Sequence, residues 1–486
     1  MHTLIKGVRT TDLSTTPAQL DLLLVNAPLR DYSLRPRVND YTLPVLGMAY
    51  IATYAASQGF TVGVLDAEAA GLPIADTVSL INQTAPRWAG FNLLAPTYEI
   101  SATIAAALDP HIRVMVGGHH AKAMPQRILA DPRMVRCDAL VIGEAETRVV
   151  ELLADHRNRT GLPGVMWRDP VLGTPVTGGR PGTGHHLAPD IDALPFVDRA
   201  FLAQDPYRAE DGRIEANMVG ARGCPYDCSF CGAAVSANPD VTIRVREPSG
   251  ILGEMHRLRD DQGVTAFRFV DDLFLGARRV IDQMTAAFAA EKVSDWAVWD
   301  ATGRINVLHR TPDETLDLLA ACGLREVALG VESGSERMLT HIDKRITQDM
   351  ILSVVRRLTV RGIKVKGYFI LGFPTETRAE MAETVGLIHR LWNLTDGQAG
   401  AFRASVFQFR PYPGTPEWGR LMATGRYTAE QLLDYAPVDL GAEDAALRGR
   451  DEFNFSSRLQ FGEATEAEIH RHLADLARAQ HSRRAA

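Results

Sequence analysis

From "EANMVGARG" to "RASVFQFRPYPGTP", strand-like stretches alternate six times with stretches of helical period. "GILGEMHRLRDDQG", "RRVIDQMTAAFAAEK", "PDETLDLLAACG", "DMILSVVRRLTVRG" and "RAEMAETVGLIHRLW" carry apolar residues at the spacing of one helix face. "AFRFVDD", "WAVWDATGRI", "EVALGVESG" and "KVKGYFILGFP" are short, apolar and bounded by Gly, Pro or Asp. Such alternation leaves few choices: a parallel sheet whose helices cross back over it, and with six repeats a partial (β/α)6 barrel. Barrels of this kind gather their chemistry at the C-terminal ends of strands. Asp271 and Asp272 stand at the end of the second strand, Arg304 at the third, Glu332 and Ser333 at the fourth. Taken singly, each reads as a helix cap or a solvated turn.

A second alternation precedes the first. "LDLLLVNAP", "FTVGVLDAE", "WAGFNLLAP", "IRVMVGG" and "CDALVIGEAE" are buried-strand patterns with helical runs between them. This predicts an N-terminal doubly wound parallel sheet, whose ligands sit at the C-terminal strand edge. The loops there contain Asn26, Asn92, Leu94, Gly117, Gly118, Gly143 and Glu144. At 486 residues the chain exceeds what one core supports, so several domains are expected. We place an N-terminal sheet domain at 1–157 and a Gly/Pro-rich connector with a small hairpin at 158–212. The barrel takes 213–420 and a C-terminal helical cap 421–486. "DEFNFSSRLQFGE" is a candidate lining of the substrate cavity.

Three of the five cysteines fall within eight positions, as Cys224, Cys228 and Cys231 in the loop after the first barrel strand. The spacing C-x3-C-x2-C lacks the second ligand pair of an ordinary zinc site. A cubane iron–sulfur cluster takes four thiolates, so three leave one iron open to a substrate. A structural zinc remains the bland alternative. The formal charge of −7 disfavours a nucleic-acid partner. Neither a leader peptide nor a run of about 18 apolar residues is evident, so no membrane span and a cytoplasmic, thiol-reducing setting are expected.

With Phe230 before its last cysteine, the triplet resembles the radical S-adenosylmethionine (SAM) enzymes. "FVDDLF", "GVESGSERML", "ILGFPTET" and "PYPGTP" are similar to motifs of one branch, and "PVLGMAYIATYAASQGFTVGVLDAE", "GGHHA" and "GEAET" resemble its cobalamin-binding domain. The chain over about residues 20–420 is thus identified as a member of class B, the cobalamin-dependent radical SAM enzymes of methyltransferase type. The resemblance implies a [4Fe–4S] cluster on Cys224, Cys228 and Cys231. It implies SAM contacts from Asp271, Glu332, Ser333 and Arg304, with Asp271-Asp272-Leu273 replacing the usual Gly-Gly-Glu, so that the aspartate or carbonyl in contact is left open. It implies cobalamin at the sheet edge, with Asn92 to Leu94 standing in for a Ser-x-Leu motif. The first loop, "NAPLRDYSLRP", has none of the histidine that many cobalamin domains offer to cobalt. Base-off, histidine-off cobalamin is therefore expected, its lower face empty, water-bound or screened by a side chain such as Leu93 or Leu94, with His119 and His120 as pocket wall or helix cap.

The activity so implied is methylation of an unactivated or heteroaromatic carbon in a small-molecule, secondary-metabolite intermediate, such as an antibiotic precursor, free or held on a carrier protein. Electrons would come from a flavodoxin or ferredoxin. A cobalamin-dependent radical SAM cyclase or rearrangement enzyme is the alternative. A cobalamin sensor is the reading from another class, and it would not need the cysteine triplet.

Overall fold

In the computed structural model, which describes residues 4–7, 19–34, 43–180, 188–209, 211–233, 243–437, 455–456 and 458–485, the apolar runs near the start of the chain form one sheet. Its strands are β1 (Ile5–Lys6), β2 (Leu22–Asn26), β3 (Val62–Asp66), β4 (Trp88–Asn92), β5 (Arg113–Gly117), β6 (Cys137–Val141), β7 (Val165–Arg168) and β8 (Pro175–Thr177). They lie in the order β1-β3-β2-β4-β5-β6-β7-β8. The central five, β3-β2-β4-β5-β6, are parallel, and β1, β7 and β8 pair antiparallel at the flanks. β2 and β3 are almost wholly buried, as a strand covered by helices on both faces must be. The strand order reverses between β2 and β4, and a doubly wound sheet opens its ligand crevice at that point. Asn26 ends β2 and Asn92 ends β4.

The chain up to Asp205 forms this unit, and from Pro206 onward a second. There β9 (Tyr207–Arg208) pairs antiparallel with β10 (Ile214–Met218), and the short pair β11 (Ala221–Arg222) and β12 (Arg244–Val245) brackets the cysteine loop. β13 (Ala266–Phe269), β14 (Val298–Gly303), β15 (Leu324–Glu332), β16 (Lys364–Leu371) and β17 (Phe402–Gln408) then add in sequence, each parallel to the last. The order β17-β16-β15-β14-β13-β10-β9 leaves the sheet open, as a partial barrel. Local chemistry sets the crossing helices. Gly263, left-handed at φ 69°, ends the helix Pro248–Gln262, and a Thr377–Glu380 capping box starts Arg378–Thr395. Phe269 stacks on Phe274 at 4.3 Å, and both meet Trp299 edge-on in the core between sheet and helices.

Beyond the barrel come helix Pro416–Ala423, the strand pair β18 (Ala436–Pro437) and β19 (Phe455–Ser456), and helix Glu466–Ala485, which lies along β17. Of "DEFNFSSRLQFGE", residues 451–454 and 457 lie outside the described residues, as do 35–36 of the first loop and 181–187 of the connector. The described end of that stretch reaches the strand ends: Thr375 N donates to Phe461 O, and Phe461 packs edge-on against Phe409.

Candidate active site

The cysteine loop leaves β10 through Gly220 and is held at both ends. The carboxyl group of Asp271 accepts the amides of Gly220, at 2.9 and 3.1 Å, and of Ala221. Arg246 donates to Val219 O at 2.9 Å and to the buried Glu254 at 2.6 Å. Within the loop, Ser229 N donates to Ile342 O and Glu417 N to Ser229 O, while the Ser229 hydroxyl reaches Glu417 at 3.2 Å. Phe230 meets Phe373 edge-on at 5.5 Å. The loop is thus fastened to the segments that follow β13, β15, β16 and β17, which is why it sits over the C-terminal ends of the strands.

Cys228 is buried, and Cys224 and Cys231 are half-buried. Burial pushes the Cys231 thiol up to about 11 and raises Cys224 also. The nearby cations oppose this: Arg304 acts on Cys224 and Lys344 on Cys231. Arg304 Nη1 lies 3.5 Å from Cys228 Sγ, its Nη2 donates to Lys344 O at 2.7 Å, and its guanidinium stacks 3.6 Å from the Tyr226 ring centre. Among the described residues no three His, Cys, Asp or Glu side chains are gathered as ligands of a single ion. The donor set does suit an iron–sulfur cluster: three thiols in one pinned loop, with cations beside them to favour thiolates.

The expected SAM residues occupy consecutive strand ends, but their side chains divide. Asp271 is spent on the loop amides, and burial pushes its carboxyl up to about 8. Asp272 is exposed. Ser333 is fully buried; its hydroxyl meets Thr384 Oγ1 at 3.2 Å and accepts Ser335 N. Glu332, at φ 69°, pairs with Lys344 at 2.7 Å with both side chains buried. Gly330 makes room for the pair, since a Cβ there would lie 2.3 Å from Glu332 Oε1 and 2.5 Å from Lys344 Nζ. Lys344 has no motif around it, and only its partner reveals it. Glu376 is a second residue without a local signal. It accepts Gly372 N at 2.6 Å, its Oε1 has no partner, and burial raises its carboxyl to about 7.

In the first unit the expected cobalamin residues share one edge of the sheet. Asn26 Nδ2 donates to Asp66 at 2.8 Å. Glu68, buried, accepts Leu29 N at 2.7 Å and Tyr32 Oη at 2.6 Å, tying the loop after β2 to β3. Gly118, at φ 95°, could carry no side chain: a Cβ would meet Asn92 Oδ1 at 2.2 Å. At Gly117 a Cβ would touch only Val141 O, at 3.4 Å, so the absence of one leaves open space for a ligand. Leu93 is wholly buried in the core and Leu94 is half-exposed, so Leu94 is the leucine at the edge. Gly143, at φ 85°, is exposed; the next carbonyl, of Glu144, accepts Arg148 Nη1 at 2.9 Å. His119 is exposed. His120 is buried against Tyr98 with neither ring nitrogen hydrogen-bonded, and burial lowers its imidazole to about 4. An open glycine position and a half-exposed leucine at the C-terminal strand ends fit a large ligand there.

Residues 218–388 match the radical SAM superfamily, and residues 37–153 match the B12 binding domain. The chain belongs to the cobalamin-dependent radical SAM methyltransferases. Among relatives of these enzymes, the chain is 27% identical over 430 residues to an uncharacterized methyltransferase of Pyrococcus horikoshii, covering 86% of this chain and 87% of that one. It is 25% identical over 440 residues to the cytidylyl-2-hydroxyethylphosphonate methyltransferase of Streptomyces wedmorensis, covering 80% and 79%. The fold is that of the radical SAM methyltransferase TsrM of Kitasatospora setae, solved with cobalamin and a [4Fe–4S] cluster, with TM-score 0.61, 18% identity and coverage of 85% and 76%. The cofactors of this methyltransferase are a [4Fe–4S] cluster, SAM and cobalamin. Among the described residues no helix is long and apolar enough to cross a membrane.

Proposed function

We propose that this enzyme methylates a carbon atom of a small-molecule intermediate in a secondary-metabolite pathway. The observation that carries the reading is the pairing, on one chain, of a doubly wound sheet whose strand order reverses between β2 and β4 and a partial barrel with three thiols in one pinned loop. Its relative in Streptomyces, named for a cytidylyl phosphonate, supports a small-molecule substrate. When bound, the cluster, SAM and cobalamin supply the radical and the methyl group; the chain supplies their places and orientation.

In this reading Cys224, Cys228 and Cys231 hold the cluster and leave one iron for the amino-acid end of SAM. Asp272, exposed beside the loop, takes the SAM contact, while Asp271 sets the loop's path from β10. Glu332 contributes its carboxylate from β15, oriented by Lys344. Ser333 supports that turn from beneath through Thr384 and Ser335. In the sheet unit Asn92, Leu94, Gly117, Gly118, Gly143 and Glu144 line the cobalamin crevice, and the Asn26–Asp66 hydrogen bond shapes its rim. Leu94 would be the leucine that faces cobalamin at this edge, in keeping with histidine-off binding. The single electron comes from a flavodoxin- or ferredoxin-type donor in a reducing cytosol, where the five free cysteines persist. The test is anaerobic reconstitution with cobalamin and SAM, followed by product mass with an intermediate from the pathway encoded beside the enzyme. A gain of one methyl group is expected; a product isomeric with the substrate, or poorer only in hydrogen, refutes methyl transfer in favour of cyclisation.

A further inference from the structure

Its place at the end of β14 marks Arg304 for ligand binding, yet its guanidinium faces the cysteine loop. It is 7% exposed. Nη1 is 3.5 Å from Cys228 Sγ, and Nη2 is anchored on Lys344 O at 2.7 Å. The Tyr226 ring, two residues before Cys228, covers the guanidinium at 3.6 Å. Nε has no partner. Both remaining arms of the fork are therefore aimed by the fold, and one of them ends on a cluster thiol.

We propose that Arg304 tunes the reduction potential of the cluster held by Cys224, Cys228 and Cys231, by donating an N–H···S hydrogen bond to Cys228 and fixing a buried positive charge beside it. The inference rests on the cluster reading above. One-electron reduction adds a negative charge to the cluster and its thiolates, while the external donor loses one electron. A hydrogen bond to sulfur and a cation nearby stabilise the reduced form more than the oxidised one, so both raise the potential. The charge acts at close range because burial keeps solvent screening low. The planar fork, stacked on an aromatic ring, holds this geometry in a way that a flexible ammonium does not. Arg304 is thus a positioning residue for electron entry rather than a contact for SAM.

The test uses full-length protein, reconstituted anaerobically without SAM, in parent, Arg304→Gln and Arg304→Lys forms. Iron per chain is counted first, and the cluster is then titrated with paramagnetic resonance of the reduced state as readout. In Arg304→Gln with full iron, the reduced-to-oxidised ratio at fixed poise should fall about tenfold, a shift of about 59 mV to more negative potential for one electron. Arg304→Lys, which keeps the charge but cannot reach Cys228 and Lys344 O together, should fall between the two. A fully loaded Arg304→Gln with the parent's potential overturns the inference, and weaker SAM binding with unchanged potential assigns Arg304 to SAM instead. Should Arg304→Gln hold no iron, Arg304→Lys decides on the same criterion. If neither variant holds iron, the role is structural and the tuning inference is wrong. A parent protein that itself takes up no cluster overturns the cluster reading, a separate result.

Discussion

Replacing Lys344 with Met should cost the barrel unit more than any change to its exposed ion pairs. Lys344 Nζ and Glu332 Oε1 are 2.7 Å apart, and the two side chains are 9% and 8% exposed. Removing one partner leaves the Glu332 carboxylate buried beside the cysteine loop without its counter-charge. Breaking a buried pair in this way costs about 3–5 kcal/mol. Replacing both partners costs little, because the desolvation of two charges is also relieved. At about 2–4 °C per kcal/mol for a unit of this size, Lys344→Met should lower the barrel's melting transition by about 6–20 °C. The double variant Lys344→Met/Glu332→Gln should recover most of that loss. Gly330→Ala places a methyl group within 2.5 Å of both charged atoms. It should fall between, at about 1–3 kcal/mol, because the pair must swing apart to admit it. Calorimetry of the apo protein under anaerobic conditions measures all three. A Lys344→Met transition within about 2 °C of the parent, or a double variant no better than the single one, refutes the reasoning.

Each of Cys224→Ala, Cys228→Ala and Cys231→Ala should abolish uptake of the cluster, read as iron and sulfide per chain after reconstitution; a Cys228→Ala protein with about four irons contradicts the assignment. Asp272→Ala should weaken SAM binding about tenfold or more, the loss of a charge-assisted hydrogen bond, whereas Asp271→Asn should leave the dissociation constant near the parent's. Equilibrium dialysis of the loaded protein distinguishes the two, and the reverse pattern would return the contact to Asp271. Cobalt(II) cobalamin bound to the enzyme should show no axial nitrogen splitting in its paramagnetic resonance spectrum, since the loop "NAPLRDYSLRP" carries no histidine and His120 is buried against Tyr98. Nitrogen splitting would mean that an imidazole or the cofactor's base reaches the metal. Asp271 and Glu376 have folded values raised by burial to about 8 and about 7, so the native state holds protons that the unfolded chain has released. Their contribution is complete below about pH 4 and is lost as pH rises to about 8. Asp271→Asn should flatten this decline in unfolding free energy between pH 5 and 8, and an unchanged slope would contradict the assignment of a protonated Asp271.

The sequence by itself determined what depends on neighbours a few residues apart. The alternation of β10 to β17 with their helices is written in local period and in end signals such as Gly263 and the Thr377–Glu380 box. So is the order of the sheet edge that brings Asn26, Asn92, Gly117 and Gly143 together, because parallel crossovers place every C-terminal strand end on one side. The triplet's spacing names its chemistry without help from the fold. What lay beyond reach were contacts between side chains distant along the chain. Asp271 and Asp272 are adjacent and chemically identical, yet one is turned 51 residues back to Gly220 and the other to solvent. Ser333 looks like a ligand residue until Thr384, 51 residues on, takes its hydroxyl. Arg304 meets Cys228 across 76 residues. Leu93 and Leu94 could not be told apart until β4 ended and the core took the first of them. Strand period assigns a residue to an end or a face, but burial and partners are set by whichever elements pack over it. Only the tertiary structure decides whether a polar group's hydrogen bonds are used within the chain or left for a ligand.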